Sequence, residues 1–201
     1  MIDALIRKKL GAFSLDAEIS GEGFICLAGR NGAGKTTLMR AMAGLATLDD
    51  GYVKIDGSDV SSWPAERRGI VMVTPSSSIP HLEVDSHITW GARLGGRAPP
   101  NARVSEVKSR LGIDFNGRVG RLSLGMKERV VLATALLSPS RVILVDEAFS
   151  NLHERDAFIA CYRELAKSAG KEVIFSSQVE SDGSLADHLF VIEGGKTRRA
   201  A

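Results

Sequence analysis

The chain has 201 residues, of which 44% are hydrophobic, and this is enough to build one well-packed α/β domain. Its 26 basic and 24 acidic residues give a formal net charge of +2, which is too small to indicate a nucleic-acid partner or a charged membrane surface. No apolar segment approaches the roughly 20 residues needed to span a bilayer, and the N-terminus lacks a secretion pattern. We therefore expect a cytoplasmic protein that does not insert directly into a membrane.

Neither the cysteines nor the basic end of the chain indicates a site. Cys26 and Cys161 lack metal-ligand spacing, and we interpret them as free thiols in a reducing compartment. Lys196, Arg198 and Arg199 form a basic tail, which we predict to be a solvated end.

The first predicted elements are strands. Apolar residues occupy positions 13, 15, 17 and 19, the period of an antiparallel strand with one buried face. After a glycine-rich turn, Phe24–Ala28 is an unbroken apolar run, as expected for a parallel strand buried on both faces. The sequence thus predicts an antiparallel β part at the N-terminus that leads into a mainly parallel sheet.

Residues 29–37 fit the phosphate-binding pattern G-x-x-x-x-G-K-[ST] and directly follow this strand. Glycines let the backbone wrap closely and turn successive N–H groups toward phosphates. Lys35 adds a positive charge, and the Thr36 hydroxyl can bind Mg²⁺. This arrangement places the phosphates of a nucleoside triphosphate at the positive end of the following helix. The predicted nucleotide-binding residues here are Gly29, Arg30, Asn31, Gly32, Ala33, Gly34, Lys35, Thr36 and Thr37.

The helix after this phosphate loop is predicted from the spacing of its apolar residues. Leu38, Met42 and Leu45 recur at helical intervals, and Gly44 is expected to act as the C-terminal cap. The short strands predicted next lie at residues 51–57 and 70–73.

The segment from residue 76 to about 137 differs in composition from the rest of the chain. Serines, prolines and glycines interrupt a mostly helical stretch without strand-like runs, and we expect a loop near residues 95–102. The last helix of this stretch is predicted to run from about 125 to 137. We predict a small helical subdomain inserted into an α/β core made of residues 1–75 and 138–201.

Two carboxylates end the next apolar strand. Asp146 and Glu147 follow this strand directly, and the carboxyl ends of parallel strands are where α/β sheets place ligand-contacting residues. Asp146 can hold Mg²⁺ opposite Thr36, and Glu147 can polarise or deprotonate an attacking water. A helix and two strands are expected to complete the sheet, at about residues 154–168, 172–176 and 189–193.

Ser123 and Gly125 belong to an L-S-x-G segment just before the last helix of the subdomain. The free N–H groups at that helix end favour an anion, although a serine N-cap alone explains the pattern nearly as well. The order of motifs favours the anion site, because the phosphate loop, L-S-x-G and Asp-Glu follow one another, the last two about twenty residues apart.

With these motifs the chain resembles, over nearly its whole length, the ATP-binding subunits of ABC transporters. The resemblance implies a RecA-like P-loop NTPase fold and one ABC ATPase domain over residues 1–201. It implies ATP and Mg²⁺ as ligands and a head-to-tail dimer, in which Ser123 and Gly125 of one subunit complete the ATP site of a second ATPase subunit. Transmembrane permease subunits would hold this ATPase at the inner face of the membrane.

A narrower resemblance concerns the transported substrate. Residues 9–15, 64–70 and 80–84 look like the corresponding segments of molybdate/tungstate importer ATPases, and residues 90–93 look like the importer-type segment that follows. Oxyanion import is thus implied by resemblance alone, because permease and binding protein select the substrate.

Two departures from the family pattern concern the signature and the first switch. The family's signature is L-S-G-G-Q, and in this chain Leu124 replaces its first glycine and Met126 replaces its glutamine. Thr74 or Pro75 stands where the family has a switch glutamine that contacts Mg²⁺.

Two further departures lie after the Asp-Glu pair. His153 replaces an aspartate, and either Ser177 or Gln178 stands at the position of the switch histidine. Gln178 can donate a hydrogen bond to a γ-phosphate, so the candidate catalytic residues are Lys35, Glu147 and Gln178. Phe13 is the nearest candidate to stack on adenine, although core packing explains it as well.

Other functions are weighed against hydrolysis in an importer. The departures are typical of a slow or non-hydrolysing regulatory subunit, whereas the presence of Lys35, Thr36, Asp146 and Glu147 favours ATP hydrolysis. A soluble ABC ATPase of DNA repair or translation is disfavoured, because the chain lacks both a long coiled-coil insertion and a second cassette. A GTPase is disfavoured because no N-K-x-D motif is present.

Overall fold

The computed structural model of the chain describes residues 1–94, 96 and 98–200. The loop predicted near residues 95–102 includes Gly95 and Arg97, which lie outside the described residues. The strands within the described residues are β1 (Ile2–Leu10), β2 (Phe13–Gly21), β3 (Phe24–Ala28), β4 (Asp50–Ile55), β5 (Ser58–Asp59), β6 (Ile70–Val73), β7 (Val142–Val145), β8 (Glu172–Ser177), β9 (His188–Glu193) and β10 (Lys196–Arg199). The α-helices there are α1 (Lys35–Met42), α2 (Val84–Leu94), α3 (Asn101–Arg110), α4 (Leu124–Leu137) and α5 (Arg155–Ser168).

The described strands form one sheet in the order β5-β4-β1-β2-β10-β9-β3-β8-β7-β6. Strands β9, β3, β8, β7 and β6 pair in parallel, whereas β1 pairs antiparallel with both β2 and β4. The predicted α/β fold with an antiparallel N-terminal part is therefore confirmed. Helices α2, α3 and α4 lie between β6 and β7 in the chain, where the inserted helices were predicted.

Strand β3 explains how the sheet separates two apolar layers. All five of its residues are buried, and successive side chains point to opposite faces. Ile25 and Leu27 belong to the cluster that contains Leu38 of α1, whereas Cys26 belongs to the cluster formed with α4 and α5. Both faces of the parallel half are therefore covered, as its continuous apolar run predicts.

Helix α1 is shorter than its apolar spacing predicts. It ends at Met42, and Gly44 adopts the left-handed conformation with φ of 76°. The backbone N–H of Leu45 then bonds to the carbonyl of Arg40 at 2.8 Å, a capping arrangement that closes the helix. The predicted cap at Gly44 is confirmed, but the inclusion of Leu45 in the helix is wrong, because the turn carries it into solvent at 52% exposure.

The basic tail forms a strand of the sheet, while Lys196, Arg198 and Arg199 are solvent-exposed as predicted. Strand β10 pairs with β9, and the Thr197 hydroxyl bonds to both backbone groups of Glu18 in β2. The arginine side chains remain exposed, which is why composition alone pointed to solvent. Within the described residues, no α-helix combines the length and hydropathy needed to cross a bilayer.

Candidate nucleotide site

The phosphate loop begins where β3 ends and is held against two neighbouring strands. The Gly29 N–H donates to the Ser177 carbonyl at 3.0 Å, and a Cβ atom at Gly29 would lie 2.4 Å from the Ile192 carbonyl oxygen. Only glycine fits this approach. The Gly195 N–H also donates to the Ala33 carbonyl at 3.2 Å, so the turn between β9 and β10 supports the loop.

The start of α1 is open to an anion. Its N-cap, Gly34, has a φ of 113° and supplies no capping side chain, and the first turn carries no acidic residue. The N–H groups of Lys35, Thr36 and Thr37 precede the first possible intrahelical bond, so they are available to a ligand. This is the arrangement that binds phosphate groups at helix N-termini.

Lys35 is turned back onto the loop. Its ammonium group donates to the carbonyls of Gly29 at 2.5 Å and Arg30 at 3.1 Å, and the residue is only 5% exposed. Burial lowers the pKa of Lys35, while the carboxylates of Glu147 and Asp146 oppose that shift. A bound phosphate would offer this buried charge the anionic partner that two carbonyls only partly replace.

Asp146 directly follows β7 and contacts both α1 and β8 at the carboxyl edge of the sheet. Its Oδ2 accepts a hydrogen bond from Thr36 Oγ1 at 2.7 Å, and its Oδ1 accepts one from Ser176 Oγ at 3.0 Å. Ser176 Oγ in turn accepts from the Glu147 N–H at 2.9 Å. Sequence analysis missed Ser176, because its role depends on β8 lying beside β7.

Glu147 has an unusual backbone. Its φ is 59°, a left-handed value that costs a residue with a side chain about 1–3 kcal/mol and is found where surrounding contacts enforce it. The side chain is exposed, and Glu147 lines the same cavity as Lys35 and Thr36. The conformation therefore brings this carboxylate to the phosphate loop.

The cavity at the phosphate loop has a volume of about 290 Å³. Half-buried Phe13 lies on its rim, and Phe13 Cζ would lie 3.1 Å from a Cβ atom at Gly34. A larger cleft of about 440 Å³, lined by Phe24 and Glu172 among others, opens at the amino ends of β3 and β8, away from the phosphate loop. The described lining residues of the smaller cavity are Phe13, Asn31, Gly32, Gly34, Lys35, Thr36, Thr37 and Glu147.

The oxygen atoms of Thr36 and Asp146 fit a magnesium ion. Mg²⁺ prefers oxygen ligands and is commonly held by one or two protein groups together with water and substrate phosphates. The two residues touch through one hydrogen bond beside the loop, and Asp146 is 6% exposed. Among the described residues, no three His, Cys, Asp or Glu side chains gather as a metal site.

Ser123 and Gly125 do not belong to the described lining of this cavity. Ser123 Oγ accepts from the Met126 N–H at 3.3 Å and caps α4, while Leu124 beside it is 47% exposed. A Cβ atom at Gly125 would lie 2.9 Å from the Asn151 carbonyl, so α4 starts directly against the loop that follows Glu147. One copy of the chain does not bring the signature to its own phosphate loop.

The altered switch positions are not gathered at the cavity either. The Thr74 N–H and hydroxyl both bond to Ser77, and His153 is exposed. Ser177 ends β8 with a buried side chain, whereas Gln178, the predicted catalytic residue, is exposed and lies outside the described cavity lining.

The ABC transporter family model matches residues 13–150 of the chain. The chain belongs to the ABC transporter family, among its ATP-binding proteins. The chain is 34% identical to the molybdenum import ATP-binding protein ModC of Rhodobacter capsulatus, an alignment that covers 100% of this chain and 58% of the relative. It is 35% identical to the Fe(3+) ions import ATP-binding protein FbpC of Streptomyces coelicolor, with 86% and 52% covered.

A third relative is the molybdate/tungstate import ATP-binding protein WtpC of Archaeoglobus fulgidus, 37% identical with 72% of this ABC protein and 62% of the relative covered. The chain thus spans less than two thirds of the length of these relatives.

Solved structures of ATP-binding cassettes share the fold. An ATP-binding subunit of an ABC transporter superimposes with a TM-score of 0.84 at 18% identity, covering 100% of this chain and 90% of the other. A dimeric cassette in a post-hydrolysis state, bound to ADP and Pi, gives 0.83 at 18% identity, with 100% and 98% covered. At this identity the likeness shows the fold alone.

Proposed function

We propose that this chain is the ATP-binding subunit of an ABC importer and hydrolyses ATP in a head-to-tail dimer. The observation that carries the proposal is the 2.7 Å contact between Thr36 and Asp146 beside Lys35, with Glu147 on the same cavity. These groups supply phosphate binding, magnesium ligands and a general base in one place. Relatives with at least 34% identity are named as import ATP-binding proteins, which supports the importer assignment.

The residues divide the work of phosphoryl transfer. The N–H groups at the start of α1 and the Lys35 ammonium bind the phosphates and stabilise the negative charge that develops on them. Thr36 and Asp146 would hold Mg²⁺, and the ion would supply positive charge that neutralises the phosphates. Glu147 accepts a proton from the attacking water. The oxygen of that water bonds to the γ-phosphorus, while the bond between the γ-phosphorus and the oxygen of the ADP leaving group breaks.

The proposal includes a second ATPase subunit because Ser123 and Gly125 lie away from the phosphate loop of their own chain. Ser123 caps α4 through the Met126 N–H, and the N–H groups of Leu124 and Gly125 in the first turn have no intrahelical partner. In a head-to-tail dimer, this helix end would contact the γ-phosphate of ATP that is bound at the phosphate loop of the other subunit. Mixing Glu147→Gln chains with chains that carry Ser123→Arg tests this arrangement, because the mixture forms one site in which both groups are intact.

Phosphate release from Mg-ATP tests the enzymatic proposal. The purified chain should release phosphate faster than its Glu147→Gln variant, while both bind ATP. A native rate equal to that of the variant would contradict hydrolysis and favour a regulatory nucleotide-binding subunit. Gln178 is exposed, and the Ser177 hydroxyl already donates to Asp182. Both observations favour a regulatory nucleotide-binding subunit or a slow enzyme.

The permease partner, the membrane location and the substrate form the finer part of the proposal. We place the chain on the cytoplasmic face of the membrane, held by transmembrane permease subunits, and we propose an oxyanion of the molybdate/tungstate type as cargo. Resemblance and two of the three named relatives support this cargo, while the third is named for iron. Co-purification with a permease, followed by molybdate and Fe³⁺ uptake into proteoliposomes, distinguishes these cargoes.

A further inference from the structure

A partly buried ion pair lies just past the carboxyl end of β8. Asp182 is 9% exposed, and both of its carboxylate oxygens are occupied. Arg155 donates from Nη1 to Oδ1 at 3.1 Å and from Nη2 to Oδ2 at 2.5 Å, and Ser177 Oγ donates to the same Oδ2 at 2.5 Å. The Val179 N–H also donates to Ser177 Oγ at 3.1 Å. We call these three side chains the Arg155–Asp182–Ser177 network.

The geometry of the network is that of a strong, directional contact. A guanidinium that grips both oxygens of a carboxylate fixes orientation as well as distance, which a single ammonium contact does not. Burial raises the pKa of Asp182, but the hydrogen bonds from Arg155 and Ser177 outweigh it and hold this pKa below its usual value. The carboxylate is therefore ionised at neutral pH.

The network joins the loop that begins at Glu147 to the end of β8, where Ser176 accepts from the Glu147 N–H. Arg155 is the first residue of α5 and ends the loop that begins at Glu147, while Ser177 is the last residue of β8. That loop contains a second left-handed residue, Glu154, with φ of 50°. Two unfavourable backbone conformations within one short loop need outside contacts to hold them.

The residue before Ser177 completes the connection to the site. Ser176 Oγ accepts from the Glu147 N–H and donates to Asp146, and the Ser177 carbonyl accepts from Gly29 of the phosphate loop. The position of the end of β8 therefore sets the positions of the Glu147 backbone and of the loop start.

We propose that the Arg155–Asp182–Ser177 network positions Glu147 for ATP hydrolysis by clamping the end of β8 to the start of α5. The three residues act through Ser176 and the intervening loop and do not touch the substrate. This inference rests on the hydrolysis proposed above, and it assigns a positioning role to residues that are remote from the phosphate loop in the sequence.

The test compares two arginines of α5. Arg155→Met removes the network's guanidinium, whereas Arg163→Met removes a more exposed ion pair, between Arg163 and Asp187, later in the same helix and beside the far cleft. We expect Arg155→Met to lower kcat about tenfold or more with KM for ATP within about twofold, since small misplacement of a reacting group costs rate. Arg163→Met should leave kcat within about twofold of native.

Two further variants keep the test decisive. Arg155→Lys preserves the positive charge but not the two-point contact of the guanidinium, and it should recover part of kcat. Asp182→Asn preserves the size of the side chain and should lower kcat, and it provides the test if Arg155→Met does not fold. Native kcat in Arg155→Met or, if it does not fold, in Asp182→Asn would overturn the positioning role. An equal loss of kcat in Arg163→Met would overturn it as well.

The outcomes separate this inference from the proposed function. If the native chain exceeds Glu147→Gln in phosphate release but Arg155→Met matches the native rate, hydrolysis stands and only the positioning role is lost. If the native chain does not exceed Glu147→Gln, both are overturned together.

Discussion

Replacing Glu128 by glutamine is expected to stabilise the folded chain at neutral pH. Glu128 lies on α4 and is 1% exposed; its Oε1 accepts from Asn151 Nδ2 at 2.8 Å, whereas its Oε2 is buried without a hydrogen-bond partner in the described structure. Glutamine retains the oxygen that Asn151 contacts and removes the burial of a charge. Since an unsatisfied buried polar group costs about 1–3 kcal/mol and more when charged, we expect a gain of about 1 kcal/mol.

The pH dependence gives this prediction its sharper test. Burial raises the pKa of Glu128, and the contact with Asn151 only partly opposes this. With a raised pKa in the folded state, the stability that protonated Glu128 contributes is present at low pH and lost as the pH rises through that pKa. The advantage of Glu128→Gln should therefore be largest near pH 8 and shrink toward pH 5.

Urea unfolding of the nucleotide-free chain measures the effect. With a slope of about 3 kcal/mol/M for a chain of this size, a gain of about 1 kcal/mol moves the midpoint up by about 0.3 M. Exposed Glu66 provides the control, since Glu66→Gln should change stability by less than about 0.5 kcal/mol. An unchanged or lower midpoint for Glu128→Gln, or a gain that is the same at pH 8 and pH 5, would refute the reasoning.

Three other outcomes are expected. Thr36→Val removes the hydroxyl bonded to Asp146 and should abolish most of the Mg²⁺-dependent gain in ATP affinity, measured by fluorescent-nucleotide titration with and without Mg²⁺. A thiol reagent should label Cys161 in the native chain but not Cys26, whose pKa burial raises to about 12; labelling that survives Cys161→Ser would contradict this. Arg68→Met should cost about 3 kcal/mol, roughly 6–12 °C in Tm by calorimetry, because it removes the hydrogen bonds that a buried guanidinium donates to four backbone carbonyls, and a loss below 2 °C would contradict this.

The parts of the site that the sequence predicted are local in the chain. The phosphate loop, Thr36 and Asp146 could be assigned because spacing within a few residues, or the end of an apolar strand, defines each one. Ser176 could not be assigned in this way. Nothing near it in sequence distinguishes it from other serines, and its contacts with Asp146 depend on the parallel register of β7 and β8.

Ionic contacts between distant segments could not be predicted from the sequence either. Asp182 lies in a stretch that the sequence marks only as polar, and its partner Arg155 is 27 positions away. Pairing of this kind depends on how α5 packs beside β8, which no local periodicity encodes. Leu45 shows the opposite failure, since a helical spacing extended past a glycine that had already ended the helix.

Gly29 lies against Ile192, so the phosphate loop depends on a segment that is synthesised much later. Strand β3 has β8 and β9 as its neighbours, so the phosphate loop lacks both side walls until most of the chain has been translated. Pairings of such wide sequence separation form slowly, since a long loop must close first. Nucleotide binding is therefore a property that the nascent chain acquires last, after its N-terminal hairpin can already pair.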